Sequence, residues 1–335
     1  MHYRRAGVDI DAVNESLRAL KERIRSTFGP MVLGDVGHFG GLHAIPGDER
    51  RALVATTDGL GTKVLLFAAA GRHGDVGEDL VSHCINDIAV LGARPLFFLD
   101  YLAGDSLPPE VLVPLVGGFA DACRRRGVAL LGGETAEMPG VYPKGTYDAA
   151  GFLVGIVERD RIVDGSAVRP GDAILGFPSS GLHTNGYSLA RKVLLEEGGS
   201  LDDRPDRLGE TVGEALLRPH LCYLDPIRRL LEAGHARGFA HITGGGLVDN
   251  VPRALPPSCD ARIRKGAWSV PPIFDLIRER GAIDEMEMFH VFNMGIGLVA
   301  MTPRSSMDEA IRTAGEGALA IGEVVPGTGT VRWEP

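Results

Sequence analysis

Apolar residues recur along the chain in helical periods that alternate with short strand-like runs. From about Asp9 to Phe28 an apolar residue returns every three or four positions, and Gly29-Pro30 follows, which predicts an amphipathic helix with a defined end. The same period predicts helices at 75–91, 109–126, 187–197, 224–233, 247–254, 272–280 and 306–314. Short apolar runs predict strands at 52–57, 96–101, 128–131, 151–158, 173–177, 239–243, 296–301 and 318–325. This alternation predicts a mixed α/β architecture, of the α+β kind, in both parts of the chain.

The pattern breaks between Arg161 and Asp172, where charged residues, proline and glycine replace the apolar periods. A chain of 335 residues exceeds the ~250–300 residues at which single hydrophobic cores stop growing. We therefore predict two domains that meet near residue 165, namely 1–165 and 166–335. The acidic stretch 198–210 is predicted to be a solvated loop.

Composition narrows the class of protein. Glycine occurs 46 times, where average usage of ~7% would give roughly half as many, but no collagen-like repeat is present. Hydrophobic residues make up 44% and charged residues 24%, which excludes wholesale disorder. The net charge of −9 argues against a broad nucleic-acid surface.

The four cysteines and the first residues point to a reducing compartment. No two cysteines form a C-x-x-C pair, and a chain of this size needs no disulfides. The N-terminus turns acidic before any apolar stretch of a signal peptide, and no apolar run approaches the ~18 residues of a membrane span. We expect a cytoplasmic protein with no membrane partner.

Carboxylates follow several predicted strands and predict a metal–nucleotide site. The segment TTDGLGTK (56–63) places Asp58 at a strand end, Gly59 and Gly61 in a turn, and Lys63 after it. Such a turn can present backbone N–H groups and a lysine to a phosphate. It is neither a G-x-x-x-x-G-K-[ST] loop nor part of a G-x-G-x-x-G motif, and an ordinary turn is the competing interpretation.

Three further acids share this placement: Asp87 in the 75–91 helix, Asp100 after a buried strand, and Glu134 after Gly132-Gly133. A solvated Asp87 is the alternative for that residue. Because Mg²⁺ favours a few carboxylates plus phosphate oxygens, Asp58 and these three acids together predict a Mg²⁺–triphosphate site.

Two glycine turns of the second half carry candidate substrate-binding residues. SSGLHTNGYSLARK (179–192) and HITGGGLVDNVPR (241–253) each lead from a strand into a helix and contain His183 and His241. Glycines before a helix allow close approach of backbone N–H groups to an anion. Each histidine could equally be a hydrogen-bonded loop residue.

The chain resembles the phosphoribosylformylglycinamidine cyclo-ligases, or aminoimidazole ribonucleotide synthetases. The blocks that carry the resemblance run in the family's order from residue 3 to residue 300. They are YRRAGVDI, FGGL, TTDGLGTK, CINDIAVLGARPLFFLDY, LGGETAEMPGVY, DAAGFLVG, SSGLHTNGYSLARK, HITGGGLVDNVPR and EMFHVFNMGIG.

The resemblance implies ATP- and Mg²⁺-dependent ring closure of formylglycinamidine ribonucleotide to aminoimidazole ribonucleotide in purine synthesis. In that reaction the formyl oxygen is phosphorylated to an iminophosphate, a substrate nitrogen attacks, and ADP and phosphate are released. It also implies a two-domain synthetase fold and a homodimer, in which the N-terminal strands of both subunits form a barrel.

The resemblance also implies roles for individual residues. Asp58, Asp87, Asp100 and Glu134 would hold metal and ATP, Lys63 would meet the phosphates, and Gly59 and Gly61 would shape that loop. His183, Asn185 and Gly244, Gly245 and Gly246 would face the ribonucleotide, His241 would serve as acid or base, and segment 34–42 would form a flap.

Two alternatives remain at this point. The chain could be another ATP-dependent member of the same superfamily, acting on a thiamine, selenium or hydrogenase-maturation substrate, although HITGGG and GGETAEMPG argue against it. It could also be a catalytically silent phosphate-binding dimer, against which the intact carboxylates and Lys63 speak.

Overall fold

The structure is a computed structural model that describes residues 3–196 and 198–334. Two sheets organise it, one in each half of the chain, with strands between residues 41 and 158 in the first and between 173 and 334 in the second. Helices and strands alternate in both halves, so the predicted mixed α+β architecture is confirmed.

The first half contains a five-stranded sheet with the order β1-β2-β5-β3-β4. Its strands are β1 (Gly41–Ile45), β2 (Asp48–Gly59), β3 (Arg94–Gly104), β4 (Ala129–Glu137) and β5 (Tyr147–Glu158). Only β3 and β4 pair in parallel. The helices of this half are α1 (Ile10–Arg25), α2 (Lys63–Ala69), α3 (Asp75–Ala89) and α4 (Pro109–Arg126). Short 3₁₀ helices cover Tyr3–Ala6 and Arg159–Arg161.

Helix α3 lies at the centre of the molecule. Nearly all of its side chains are buried, and it packs on β2, β3 and β5 and against α4. Gly77 and Gly118 permit the α3–α4 contact, because a Cβ on either would overlap backbone atoms of the other helix or of the residues leading into it. Helix α3 also presents His83, Asn86 and Asp87 toward the second half.

The second half contains a six-stranded sheet with the order β11-β8-β10-β6-β9-β7, antiparallel except for β11–β8. Its strands are β6 (Ala173–Pro178), β7 (Gly238–His241), β8 (Cys259–Arg264), β9 (Ile296–Thr302), β10 (Leu319–Pro326) and β11 (Val331–Glu334). Its helices are α5 (Tyr187–Arg191), α6 (Val212–Leu216), α7 (Leu224–Glu232), α8 (Gly246–Asn250), α9 (Pro272–Gly281), α10 (Glu285–Val291) and α11 (Met307–Ala314).

Two predicted helices are divided in the structure. The helix predicted at 187–197 is α5 followed by a π-helical turn at Lys192–Glu196, and residue 197 lies outside the described residues. The helix predicted at 247–254 is α8 followed by a 3₁₀ turn at Val251–Ala254, where Pro252 lacks the amide hydrogen that a continuing α-helix needs.

The first sheet is open among the described strands, so one chain alone does not form the barrel that the resemblance implied. Helices cover one face. The other face exposes large apolar side chains: Leu131 is 63% exposed, Phe152 44% and Leu99 36%. This uncovered face is where a second copy would have to complete a barrel.

Helix α1 confirms the predicted period but leaves much of its apolar stripe in solvent. Asp9 caps its first turn by accepting a hydrogen bond from the Ala12 amide, and Val13 and Leu20 are largely exposed. At its other end, Arg25 Nε donates to Asp35 Oδ1 at 2.8 Å, which ties the helix to the glycine-rich loop.

Among the described residues, no helix is long and apolar enough to cross a bilayer. All four cysteines are free thiols, and three of them are buried.

Candidate active site between the two halves

Strands β2 and β3 place two of the predicted acids in one row. Asp58 lies at the carboxyl end of β2, whereas Asp100 lies inside β3, which continues to Gly104, so the prediction that Asp100 follows its strand is wrong. Asp58 pairs with Gly151 of β5, and Gly151 pairs with Asp100 of β3. Paired residues project to the same side of a sheet, so Asp58 and Asp100 share a face, two strands apart. Glu134 pairs with Tyr101, the neighbour of Asp100, and therefore lies on the opposite face. The structure does not bring Glu134 to the other three acids.

Asp87 reaches this region from α3. Its Oδ2 accepts a hydrogen bond from Thr56 Oγ1 at 3.3 Å, and Thr56 lies two residues before Asp58 on the same face of β2. Its Oδ1 lies 2.8 Å from Nδ1 of His241 at the end of β7. These contacts place Asp87 beside the end of β2 that carries Asp58, and the role of both carboxylates stays a prediction.

A histidine pairs with each of these two carboxylates. His83 Nε2 lies 2.6 Å from Asp58 Oδ2. Burial would lower the pKa of His83, but the Asp58 carboxylate outweighs burial and raises it to about 9. Burial likewise opposes ionisation of Asp58, and the charge of His83 holds the pKa of that carboxyl below its ordinary value. His83 and Asp58 thus form an ion pair at neutral pH.

His241 and His220 remain neutral. Burial lowers the pKa of His241 despite the opposing effect of Asp87, and it lowers the pKa of His220 well below the ordinary value. Their Nε2 atoms lie 3.1 Å apart, so one must donate and the other accept. Because Asp87 requires a proton on His241 Nδ1, His220 Nε2 is the donor.

Thr184 joins the two ends of this arrangement. Its Oγ1 lies 2.8 Å from His83 Nδ1 and 3.3 Å from His220 Nδ1. The charged His83 donates to Thr184, and Thr184 donates to the free Nδ1 of His220. We call the chain His83–Thr184–His220–His241, with Asp58 and Asp87 at its ends, the imidazole relay. Its members follow one another at 2.6–3.3 Å, and it crosses twice between the halves.

Asn86 secures the relay from α3. Its Nδ2 donates to the Leu221 carbonyl at 2.9 Å, and its Oδ1 accepts the Tyr223 amide at 2.7 Å. Nδ2 also lies 3.2 Å from His220 Nε2. A single amide side chain therefore fixes the segment that carries His220.

Lys63 lies elsewhere than the prediction placed it. Its ammonium is buried, pairs with the buried Asp79, and donates to the carbonyls of His183 (2.7 Å) and Arg218 (2.8 Å). Burial lowers the pKa of Lys63 and raises that of Asp79. Three acceptors match the three protons of an ammonium, so Lys63 has none left for a phosphate in this arrangement. Gly59 and Gly61, predicted to shape the loop before it, lie at the end of β2 and in the turn to α2, with φ of +53° at Gly61.

His183 is held in a strained backbone conformation. Its φ is +61°, uncommon for a residue with a side chain, and its carbonyl is the one bound by Lys63. The ring stacks on His220 with centroids 4.1 Å apart, and Nε2 accepts the Ser180 amide at 3.2 Å. Burial lowers its pKa well below the ordinary value, so the ring is neutral.

The predicted substrate loops meet beside the relay. Asn185 Nδ2 donates to Thr184 Oγ1 at 3.3 Å, and a Cβ on Gly244 would lie 3.2 Å from Asn185 Oδ1. Gly245 and Gly246 have φ of +92° and +57°, which other residues rarely adopt. Asn185 and Gly244 are at least partly exposed, so they could contact a ligand.

Arg253 fastens the glycine-rich loop to the second half. Its guanidinium donates to the carbonyls of Gly37 (3.0 Å) and His38 (2.8 Å) and lies 3.7 Å from the centre of the Phe39 ring. Thr56, which donates to Asp87, also reaches the Phe39 carbonyl at 3.3 Å. The loop at 37–39 is thus held by Arg253 of the second half and by Thr56, which also contacts Asp87.

Sequence reasoning missed several members of this site: Asp79, Asn86, Thr184, His220 and Arg253. His83 is a further member, to which the sequence assigned no function. Asn86 and Arg253 stand inside matched blocks, and that position was the available signal. His220 stands in no block, so no sequence feature marked it.

The donors present fit a divalent cation beside Asp58 and Asp87. Mg²⁺ in nucleotide sites is held by one or two carboxylates plus phosphate oxygens, and Asp58 stands directly before the glycine turn at Gly59 and Gly61. Asp87 also shares a buried group of candidate ligands with His83 and His241, whose ligand atoms lie within 4.8 Å of one another.

Comparisons with known proteins place the chain in a family. Its residues 40–157 match the model described as "AIR synthase related protein, N-terminal domain", and residues 169–334 match the corresponding C-terminal domain. A phosphoribosylformylglycinamidine cyclo-ligase of Geobacillus kaustophilus is 48% identical over 98% of this chain and 96% of that protein. One of Syntrophotalea carbinolica is 49% identical over 97% and 94%. The chain belongs to the phosphoribosylformylglycinamidine cyclo-ligase family.

Solved structures agree on the fold. AaThiL in complex with AMPPCP and TMP superposes with a TM-score of 0.67 at 18% identity, over 95% of this chain and 94% of that one. Thiamine-monophosphate kinase from Stenotrophomonas maltophilia gives 0.64 at 19% identity, over 94% and 96%. The family's two-domain synthetase fold is therefore shared with kinases of low sequence identity.

Proposed function

We propose that this protein closes the imidazole ring of aminoimidazole ribonucleotide from formylglycinamidine ribonucleotide, with ATP as phosphoryl donor. The observation that carries the proposal is the imidazole relay, which binds two carboxylates of the first half to the substrate loops of the second. The similarity of this chain to cyclo-ligases over nearly its whole length also supports the proposal.

Asp58 and Asp87 are the residues we propose for the metal, with Asp100 behind them on the same face. Mg²⁺ bound there would neutralise phosphate charge as it builds during transfer to the formyl oxygen. Glu134 lies on the uncovered face and is left out of this set. The docked loop at Phe39 would exclude water from the nucleotide, since Arg253 holds it and Thr56 contacts both the loop and Asp87.

The relay residues act through their neighbours. His241 has no exposed surface here, so we propose that it orients Asp87 and exchanges a proton with His220 rather than contacting substrate. His183 likewise supports the turn that presents Asn185. Asn185 and Gly244 to Gly246 are the proposed contacts of the ribonucleotide.

Lys63 is proposed to join the halves instead of binding ATP phosphates. It belongs to the first half, whereas two of its three partners, the His183 and Arg218 carbonyls, belong to the second. The proposed division near residue 165 gives this buried contact a function, because it fixes the cleft between two separately folded units.

We also propose a homodimer and a cytoplasmic location. The exposed apolar side chains of Leu99, Leu131 and Phe152 lie on the uncovered side of the first sheet, and burying them against a second copy would be favourable. A barrel would then arise between two chains rather than within one. Sedimentation at several concentrations tests the assembly, with Leu131→Glu as the disrupting variant.

The activity is tested with purified protein, ATP, Mg²⁺ and formylglycinamidine ribonucleotide, measuring aminoimidazole ribonucleotide and ADP together. We expect equal amounts of both, loss of turnover with EDTA, and a large fall in kcat for Asp87→Asn and His241→Ala. His235→Ala, far from the relay, is the control. ADP formation without the imidazole product would contradict the proposed reaction, and an unchanged kcat for His241→Ala would remove that residue from it.

A further inference from the structure

A cavity opens at the end of the first sheet opposite Asp58. It has a volume of about 970 Å³ and is lined by Arg51 and Arg94, at the beginnings of β2 and β3, and by Glu158 at the end of β5. Strands β2 and β3 run in the same direction, since both are antiparallel to β5. The cavity therefore lies toward the other end of β2 and β3 from Asp58, and helix α7 of the second half closes its other side.

Basic groups predominate in the lining. Six arginines line it: Arg51, Arg94, Arg126, Arg161, Arg228 and Arg237. Four carboxylates accompany them: Glu158, Asp164, Asp225 and Glu232. The lining has two more basic than acidic groups, but three carboxylates outside it, Asp48, Glu78 and Asp172, pair with its arginines. The positive charge that favours an anion is therefore local to Arg94 and Arg161.

Two of the guanidinium groups are available to a ligand. Arg51, Arg126, Arg228 and Arg237 each pair with a carboxylate at 2.6–3.4 Å. The side chains of Arg94 and Arg161 have no hydrogen bond or ion pair within residues 3–196 and 198–334. In addition, the buried Nε of Arg126 lacks a hydrogen-bond partner there. Buried donors are normally satisfied, so this one marks a place where an acceptor would be stabilising.

The remaining wall is apolar, and the space exceeds what an inorganic ion needs. Ile156, Ile162, Val163, Ile227 and Leu231 contribute to it. Sites for organic ligands typically measure ~300–1,000 Å³ and combine apolar walls with a few polar anchors. An anion with an organic group of considerable size matches this lining.

We propose that this arginine pocket binds a phosphate ester of nucleotide size. The phosphate pairs with Arg94 and Arg161, because the planar guanidinium matches phosphate oxygens in a bidentate geometry. The sugar and base lie along the apolar wall formed by both halves. This site is separate from the proposed ATP site and is not needed for the proposed reaction.

A ligand in the arginine pocket would fasten the halves together next to the relay. Ala89, the last residue of α3, and Gly92, just beyond that helix, line the pocket. Both closely follow Asn86 and Asp87 in the chain. Leu224 lines it from the second half and follows Tyr223, whose amide donates to Asn86. Filling the pocket therefore stabilises the contact on which Asp87 and His220 depend, which gives the site a means to regulate turnover.

The test is calorimetric titration of the full chain with adenosine 5′-monophosphate, in the presence of saturating Mg²⁺ and AMPPCP to fill the proposed ATP site. Adenosine and inorganic phosphate are titrated separately. We compare the wild type with R94A/R161A and with R280A/R312A, a control that removes two exposed arginines outside the pocket. We expect one site in the wild type and the control, and at least tenfold weaker binding in R94A/R161A, since each lost charge-assisted bond is worth about tenfold or more.

Two results would overturn the proposal: no binding of adenosine 5′-monophosphate to the wild type up to about 1 mM, or equal affinity in R94A/R161A. Inorganic phosphate binding as tightly as the nucleotide would reject the organic part of the ligand. Cyclo-ligase turnover of R94A/R161A without effector should stay within about twofold of the wild type. Failure of the proposed reaction would instead abolish turnover in every variant and leave this binding unchanged.

Discussion

Replacing Lys63 by methionine tests the buried contact between the halves. Methionine keeps most of the length and apolar volume of the side chain but removes the ammonium. Asp79 then keeps a single donor, the His220 amide at 2.8 Å, while the carbonyls of His183 and Arg218 lose theirs. Both members of the pair are fully buried, so water cannot compensate in the folded state.

The expected loss is large because an uncompensated charge stays buried. Removing one member of a buried ion pair costs about 3–5 kcal/mol, whereas replacing both members is much less destabilising. We therefore expect K63M to lower the free energy of unfolding by about 3–5 kcal/mol. K63M/D79N should recover at least half of that loss, since the second substitution removes the remaining buried charge.

Urea unfolding followed by far-ultraviolet circular dichroism measures these values, together with kcat and KM for ATP. K144M, at an exposed lysine, is the matched control and should stay within about 0.5 kcal/mol of the wild type. The reasoning is refuted if K63M is as stable as K144M and only its KM for ATP rises. That result would return Lys63 to the phosphate-binding role that the sequence predicted.

Three further predictions concern the surroundings of the relay. Gly297→Ala should lower stability by about 1–3 kcal/mol in urea, because its Cβ would lie 2.6 Å from His183 Cε1 in a packed core. Since the folded-state pKa of His83 is raised to about 9 by Asp58 against burial, its stabilising contribution is complete below about pH 6.5 and is lost as the pH rises through 9. Between about pH 6 and 9.5 the free energy of unfolding of the wild type should therefore fall by about 3 kcal/mol more than that of His83→Asn, as measured by urea unfolding at each pH. Arg253→Met should speed amide hydrogen exchange at residues 37–42 and raise the KM for ATP, because the docked loop loses two hydrogen bonds and a ring contact.

Each of these has a control in the same chain. Gly117→Ala, at a helical position with nothing within 4 Å of the added methyl group, should be neutral or stabilising. Identical pH dependence in the wild type and His83→Asn would contradict the ion pair with Asp58. Arg280→Met should leave exchange at 37–42 unchanged, and unchanged exchange in Arg253→Met as well would show that the loop is held by other contacts.

Much of the fold follows from local signals. The helix predicted at 109–126 is α4 with the same limits, because proline stands at its first turn and Gly127, with φ of +67°, ends it. Strand β8 was missed although apolar and polar residues alternate in its sequence, CDARIR. It is short and contains three charged residues, one of which, Asp260, is buried and accepts amides of the 328–330 turn. Its strand conformation depends on pairing with β10 and β11, which no local pattern encodes.

Some residues of the candidate site could likewise be placed from local sequence signals, and others could not. Asp58 and Asp87 lie on the strand end and the helix that local signals predicted, whereas Asp100 lies inside β3 because that strand continues to Gly104. The role of these acids at the site stays a prediction. The placement of Lys63 was not predictable, since its acceptors lie more than 100 residues away and the glycine turn before it fits a phosphate loop equally well. His220 became visible only when the packing of the two halves placed it against His241.

The double crossing of the relay has a consequence for how the protein is made. Ribosomes add roughly 5–20 residues per second, so the interval between synthesis of Asp87 and of His241 is roughly 8–30 seconds. For much of that interval the nascent first half carries Lys63, Asp79 and Asn86 without the carbonyl and amide partners that residues 183–223 supply. A truncated chain ending before His183 would leave these polar groups without those partners. The relay itself is complete only once His241 has been added, so catalytic competence would arrive as a late event in translation.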